Sequence, residues 1–298
     1  MNSEMTVHTP AKINILLEIG PKLSSGFHEL HSLFLMVDLL DTLQVTLIPD
    51  SSECRIESGP LQLPGHNTLV HAWDLFCRDI GRPLGCRAVL KKRIPSGAGL
   101  GGGSSNGAGM LRVLNELLGR PVSESRLLEL ARNVGSDVPF FLGSPAAWVE
   151  GTGEVLKSIQ VREFYVMLLK PDIDISTPWA YQALDAYRGE DADNCTFKTL
   201  RSDCITSYEQ RPPAQWKFFN SFEPVLDDRY PEVSELRRML IQCGATYTGI
   251  SGSGSAVFGF FNTREDISLC ERSLQHITSW RQCVKTLAKS PIEVYNTL

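Results

Sequence analysis

Read for hydrophobic and polar alternation, the N-terminal stretch Thr6 to Ile19 is a strand. Ile13, Ile15, Leu17 and Ile19 fall on one face, and Lys12, Asn14, Leu16 and Glu18 on the other. Further strands are predicted at Phe34 to Val37, Thr42 to Pro49 and Arg87 to Arg93. The period then lengthens to that of helices at Thr68 to Asp79, Ser105 to Leu118 and Ser123 to Val134. Met110, Val113, Leu114 and Leu117 share a face of the second of these, Ser123 is placed to cap the third, and Gly135 to end it. A composition shift over Gly151 to Ser158, between Trp148 and the apolar strand Phe164 to Leu169, marks a domain boundary, giving domains 1–155 and 156–298. Beyond it, Pro231 to Gln242 and Arg264 to Leu274 read as helices, and Ala256 to Phe261 as a strand. The polar stretch Arg188 to Gln215 has the weakest pattern and reads as a flap or short helices. The fold class expected is α+β in two domains.

The run Pro95-Ser96-Gly97-Ala98-Gly99-Leu100-Gly101-Gly102-Gly103-Ser104-Ser105 lies between a predicted strand and a predicted helix. Five glycines in seven residues leave backbone N–H groups bare, and a helix N-terminus behind them adds unpaired donors and partial positive charge. That combination suits a polyphosphate. Gly97 to Gly102 fits the dinucleotide fingerprint G-x-G-x-x-G. The acidic residue at the right distance, Glu116, falls inside the following helix rather than on a second strand, so the context fails. Gly103 to Gly107 fits G-x-S-x-G, but no apolar strand runs directly into it. No Gly-Lys dipeptide occurs, which excludes a Walker A loop.

The loop resembles the phosphate-binding motif of the GHMP kinase superfamily, Pro-x-Gly-x-Gly-Leu-Gly-Ser/Gly-Ser-Ser. Its triple glycine, with four other segments, resembles the 4-diphosphocytidyl-2-C-methyl-D-erythritol kinases of that superfamily. Those segments are Pro10-Ala11-Lys12-Ile13-Asn14, Gly26-Phe27-His28, Gly135-Ser136-Asp137-Val138-Pro139, and Gly249-Ile250-Ser251-Gly252-Ser253-Gly254. Asn220 with Glu223-Pro224-Val225 matches a shorter element but departs from it in the middle.

The resemblance implies a ribosomal-protein-S5-like N-terminal α/β domain and a ferredoxin-like C-terminal α+β domain. It also implies ATP as phosphoryl donor, Mg²⁺, and a cytidine diphosphate derivative as acceptor in the non-mevalonate isoprenoid pathway. Asp137 is then the acceptor of the hydroxyl proton, with Lys12 beside it holding it ionised and offsetting phosphoryl charge. The loop from Pro95 to Ser105 cradles phosphates, with Asn67 and Lys92 on the adenine side. Asn14, Phe27, His28 and Thr177 hold the cytidylyl end. Phe27 stands where the family has tyrosine, which keeps a stacking face and loses a phenol. The metal's protein ligand is not implied. Without the resemblance, Lys12 reads as one more solvated charge, Asp137 as a turn or cap residue, and the second glycine segment as a hairpin. Two rivals stay open: another small-molecule kinase such as homoserine kinase, and a nucleotide-binding protein that does no chemistry.

Composition fits such an enzyme without requiring it. The net charge of −5 argues against nucleic acid or an anionic membrane as partner. Eight cysteines without C-x-x-C spacing suggest neither zinc nor a redox pair. With no signal-like N-terminus or membrane-length apolar run, the chain reads as a cytoplasmic protein. Oligomeric state is not legible.

Overall fold

The computed structural model describes residues 3–60, 63–65, 67–189, 195–277, 279–292 and 294–296. Its organising element is the hairpin of β1 (Glu4–Lys22) and β2 (His28–Leu47), antiparallel throughout, with Lys12 opposite Met36 and Lys22 opposite His28. The sequence splits β2 into two strands. Asp38 and Asp41 interrupt its apolar pattern, yet the strand continues through both, because Asp41 has partners inside the protein. One carboxylate oxygen accepts from the backbone N–H groups of Arg93 (2.7 Å) and Ile94 (2.9 Å); the other takes the Lys92 ammonium and Asn106 Nδ2. Buried carboxylates are tolerated only with such a full set of donors.

The first sheet is completed by β3 (Cys54–Glu57), β4 (Cys86–Lys91), β5 (Ala146–Glu150), β6 (Val155–Ser158) and β11 (Val294–Asn296). Its path runs β11-β1-β2-β4-β3, with β5 also on β2 and β6 on β5. β6 therefore carries this sheet to Ser158, and β11 returns to it from the far end of the chain. On one face lie α1 (Thr68–Asp79), α2 (Gly102–Leu117), α3 (Glu124–Val134) and the short α4 (Val138–Phe141), whose apolar sides share a core with Val7, Phe34 and Met36. Asn67 and Ser123 cap α1 and α3. Gly135 ends α3 in extended backbone (φ 171°) rather than in the left-handed turn that a terminal glycine suggests.

The second sheet has the order β10-β7-β9-β8, formed by β7 (Tyr165–Lys170), β8 (Tyr247–Ile250), β9 (Val257–Phe261) and β10 (Trp280–Lys285). Val166, Leu168, Phe258 and Phe260 pack against Ala11, Ile13 and Ile15 of β1, so β1 is covered on both faces. This explains why it is buried without a break from Thr9 to Gly20. α7 (Glu223–Arg229), α8 (Pro231–Gln242) and α9 (Arg264–Ser273) supply the third core, with Leu17 and Ile19 of β1.

The weakly patterned region holds the end of α5 (Thr177–Arg188), α6 (Arg201–Gln210) and a 3-10 turn at Pro213–Gln215; residues 190–194 lie outside the described residues. α6 escaped the periodicity because only Cys204 and Tyr208 are buried on it. Among the described residues, no helix is long and apolar enough to cross a membrane.

Candidate active site

α2 begins at Gly102, earlier than its apolar face suggests, so two glycines of the run form its first turn. Gly101 caps it in the left-handed region (φ 68°), where side chains are costly. A Cβ there would also meet Lys12 Cγ at 2.8 Å and Phe141 Cζ at 2.9 Å. Gly97 and Gly99 are left-handed too. The loop is braced from the second glycine segment, where Ser251 Oγ donates to the Gly99 carbonyl (2.8 Å) and Ala256 N–H to that of Ala98 (3.1 Å). Asn220 Nδ2 in turn donates to the carbonyls of Ile250 (2.9 Å) and Gly252 (2.8 Å), holding that segment from behind.

Two clefts meet at this loop. The smaller, of about 430 Å³, is lined by Pro95 to Ser104 with Asn67, Thr68 and Lys92. The larger, of about 970 Å³, is lined by Lys12, Asn14, Phe27, His28, Asp137 and Thr177 among others. They share Gly99, Gly101 and Ser104.

At the junction Lys12 Nζ lies 3.6 Å from Asp137 Oδ2. Lys12 is buried in β1, its N–H donates to the Leu100 carbonyl (2.9 Å), and its ammonium bonds Asn14 Oδ1 and sits 4.7 Å from the centre of the Phe34 ring. Burial pushes the ammonium's pKa down, and the Asp137 charge offsets part of that. Asp137, just before α4, is 30% exposed and faces the larger cleft. Asn14 is fixed by Ser32 Oγ, to which its amide donates at 3.1 Å.

Asn67 and Lys92 line the smaller cleft with their polar groups already engaged. The Asn67 oxygen accepts from Leu69 and Val70 N–H, its amide donates to Pro64, and Lys92 is held by Asp41 and Asn106. Ser105 lines neither cleft. Its buried Oγ has no hydrogen-bond partner, directly behind the first turn of α2.

At the other end of the larger cleft, His28 is buried and bonded through Nε2 to Asp185 Oδ1 (2.8 Å), while Tyr181 stacks on its ring. Burial, and secondarily the Asp137 charge, push the Tyr181 phenol up to about 12, so it stays a neutral donor. Phe27 is 67% exposed at the rim, and Thr177 Oγ1 lies 2.8 Å from Ser253 Oγ of the second glycine segment.

Sequence reasoning missed Tyr181 and Asp185, together with Arg132, Thr152 and Glu154, which also line this cleft. One signal was present: Ser176-Thr177-Pro178 is a helix start, and Ser176 does cap α5. A helix drawn from there places residues 181 and 185 on one face.

Models of the GHMP kinase N-terminal and C-terminal domains match residues 67–144 and 212–276. A curated 4-diphosphocytidyl-2-C-methyl-D-erythritol kinase of Treponema pallidum (strain Nichols) is 35% identical over 285 residues, covering 94% of this chain and 97% of the relative. Its namesake from Thermodesulfovibrio yellowstonii is 34% identical over 301 residues, covering 96% and 99%. A crystal structure of 4-(cytidine 5'-diphospho)-2C-methyl-D-erythritol kinase superposes with a TM-score of 0.77 at 33% identity, over 94% of this chain and 99% of that one. Homoserine kinase from Cytophaga hutchinsonii, at 18% identity and a TM-score of 0.70, shares the fold alone. With full-length relatives above 30% identity, and a glycine loop that separates two clefts beside a lysine–aspartate pair, the chain belongs to the 4-diphosphocytidyl-2-C-methyl-D-erythritol kinase family of GHMP kinases.

Proposed function

We propose that the protein transfers the γ-phosphoryl group of ATP to the 2-hydroxyl of 4-diphosphocytidyl-2-C-methyl-D-erythritol, giving the 2-phosphate and ADP. The observation that carries this reading is the Lys12–Asp137 pair where the two clefts meet. A protein that only bound nucleotides would need neither group there.

ATP occupies the smaller cleft, its phosphates on the N–H groups at the start of α2. The cytidylyl substrate occupies the larger cleft, its base near His28 and Tyr181. The first sheet with its helices thus supplies the loop and the catalytic pair, and the chain beyond Ser158, three residues past the boundary expected after residue 155, supplies α5 and the second glycine segment.

As the substrate oxygen forms its bond to the γ-phosphorus, the bond to the β-phosphate oxygen breaks and the hydroxyl proton passes to Asp137. A carboxylate is a weak base for an alcohol, so this transfer comes late. Lys12 sets its charge against the migrating group, which carries little bonding to either side and depends on positioning and electrostatics.

Among the described residues, no three His, Cys, Asp or Glu side chains are grouped to hold a metal. Mg²⁺ would be held mainly by the phosphates; Ser105 Oγ, buried and lining neither cleft, would not reach it. When bound, the ion would neutralise phosphate charge.

The test is ADP release by the purified protein with Mg²⁺ and ATP, offered the cytidylyl compound, homoserine and mevalonate separately. Release with the first alone, with the phosphate placed on the 2-hydroxyl by phosphorus NMR, is the expected result. Release only with another acceptor would overturn the substrate, and silence with all three would overturn catalysis.

A further inference from the structure

α5 turns two side chains, one turn apart, onto one imidazole. Residues four apart share a helix face. Tyr181 stacks on His28 with ring centroids 5.0 Å apart and planes 28° apart, and Asp185 Oδ1 meets His28 Nε2 at 2.8 Å. The other oxygen of Asp185 takes the Lys22 ammonium at 3.1 Å. Lys22 closes β1 and His28 opens β2, and they face each other across the ladder. A single carboxylate on α5 therefore holds both strands at the hairpin end that carries Phe27.

The chemistry of this contact is directional. Burial alone would raise the Asp185 pKa, but its bonds to Lys22 and His28 outweigh burial and bring it below the usual carboxylate value. An ionised carboxylate only accepts, so His28 Nε2 carries the hydrogen. In the neutral ring this leaves Nδ1 as the lone-pair nitrogen, and among the described residues it has no protein partner.

We propose that Asp185 is a positioning residue for base specificity: by holding His28 through Nε2, it leaves Nδ1 as an acceptor for the exocyclic amine of a cytosine. Uracil has a carbonyl oxygen at that position and would set two lone pairs against each other. The proposal rests on the cytidylyl-substrate reading above.

The test titrates CDP and UDP into the full-length protein with the nucleotide cleft filled by saturating ADP. It compares the wild type with Asp185→Asn and Asp185→Glu, and ¹⁵N spectra of labelled histidine report the His28 tautomer. In Asp185→Asn the amide oxygen can still accept from Lys22, and the amide N–H then faces Nε2, so the ring hydrogen moves to Nδ1. CDP affinity should fall about tenfold, as for loss of one neutral hydrogen bond, and the preference for CDP over UDP should shrink or invert. ADP affinity should stay unchanged, showing that the fold is intact, and Asp185→Glu should restore the Nε2–H tautomer and part of the CDP preference. An unchanged CDP-to-UDP ratio or an unchanged tautomer in Asp185→Asn overturns the proposal, as does a wild type that binds both nucleotides alike. If the wild type turns over the cytidylyl compound, such a result removes only the role of Asp185. If it does not, the reaction itself falls, and this proposal with it.

Discussion

The chemistry turns on few side chains. Lys12→Met keeps the volume of the buried chain but removes the charge beside Asp137, and kcat should fall by about 10²–10³. Asp137→Asn should lower kcat by about 10²–10⁴ through loss of the proton acceptor. Neither change should weaken ATP binding much, and single-turnover assays with parallel nucleotide titrations would check both. Asp185 gives a stability prediction with a definite sign. Its folded pKa lies below the ordinary 3.8, so its pairing with Lys22 and His28 adds stability that is complete above that value. The contribution is lost as pH falls through the folded pKa. The gap in urea midpoint between wild type and Asp185→Asn should therefore be present at neutral pH and close below about pH 4.

Among the elements, the glycine loop leaves the least freedom to substitution. Gly101→Ala would force a side chain into left-handed backbone and against Lys12 and Phe141, costing about 1–3 kcal/mol in denaturant unfolding. It should also raise KM for ATP, since the cap of α2 would shift. The legibility of the elements follows from who their partners are. The loop, the alternation of β1 and the capped helix α3 were readable because their signals are local: glycine torsions, period two, and a serine cap. β2 was read as broken because the donors that rescue Asp41 arrive from Arg93 and Ile94, about fifty residues on. Lys12 and Asp137 could be read only through resemblance, since nothing near them in sequence says that they meet. Tyr181 and Asp185 went unread because α5 shows its polar face to a cleft built by β1 and β2.

At the scale of the molecule, β1 ties the protein together. Val7 belongs to the core under the helices, Ile13 and Ile15 to that shared with the second sheet, and Leu17 and Ile19 to the core around α7 to α9. Neither sheet can lose its packing while the other keeps its own, so thermal unfolding should show one cooperative transition by calorimetry. None of the eight cysteines, all within the described residues, is in a disulfide, and added reductant should leave that transition where it is. The shared boundary of the two clefts also constrains the order of events. Because among the described residues they have only Gly99, Gly101 and Ser104 in common, either ligand can settle without displacing the other. Both must be in place before the phosphoryl group has anywhere to go. Initial-rate plots against one reactant at several fixed levels of the other should therefore give intersecting lines; parallel lines would mean that ADP departs before the acceptor arrives.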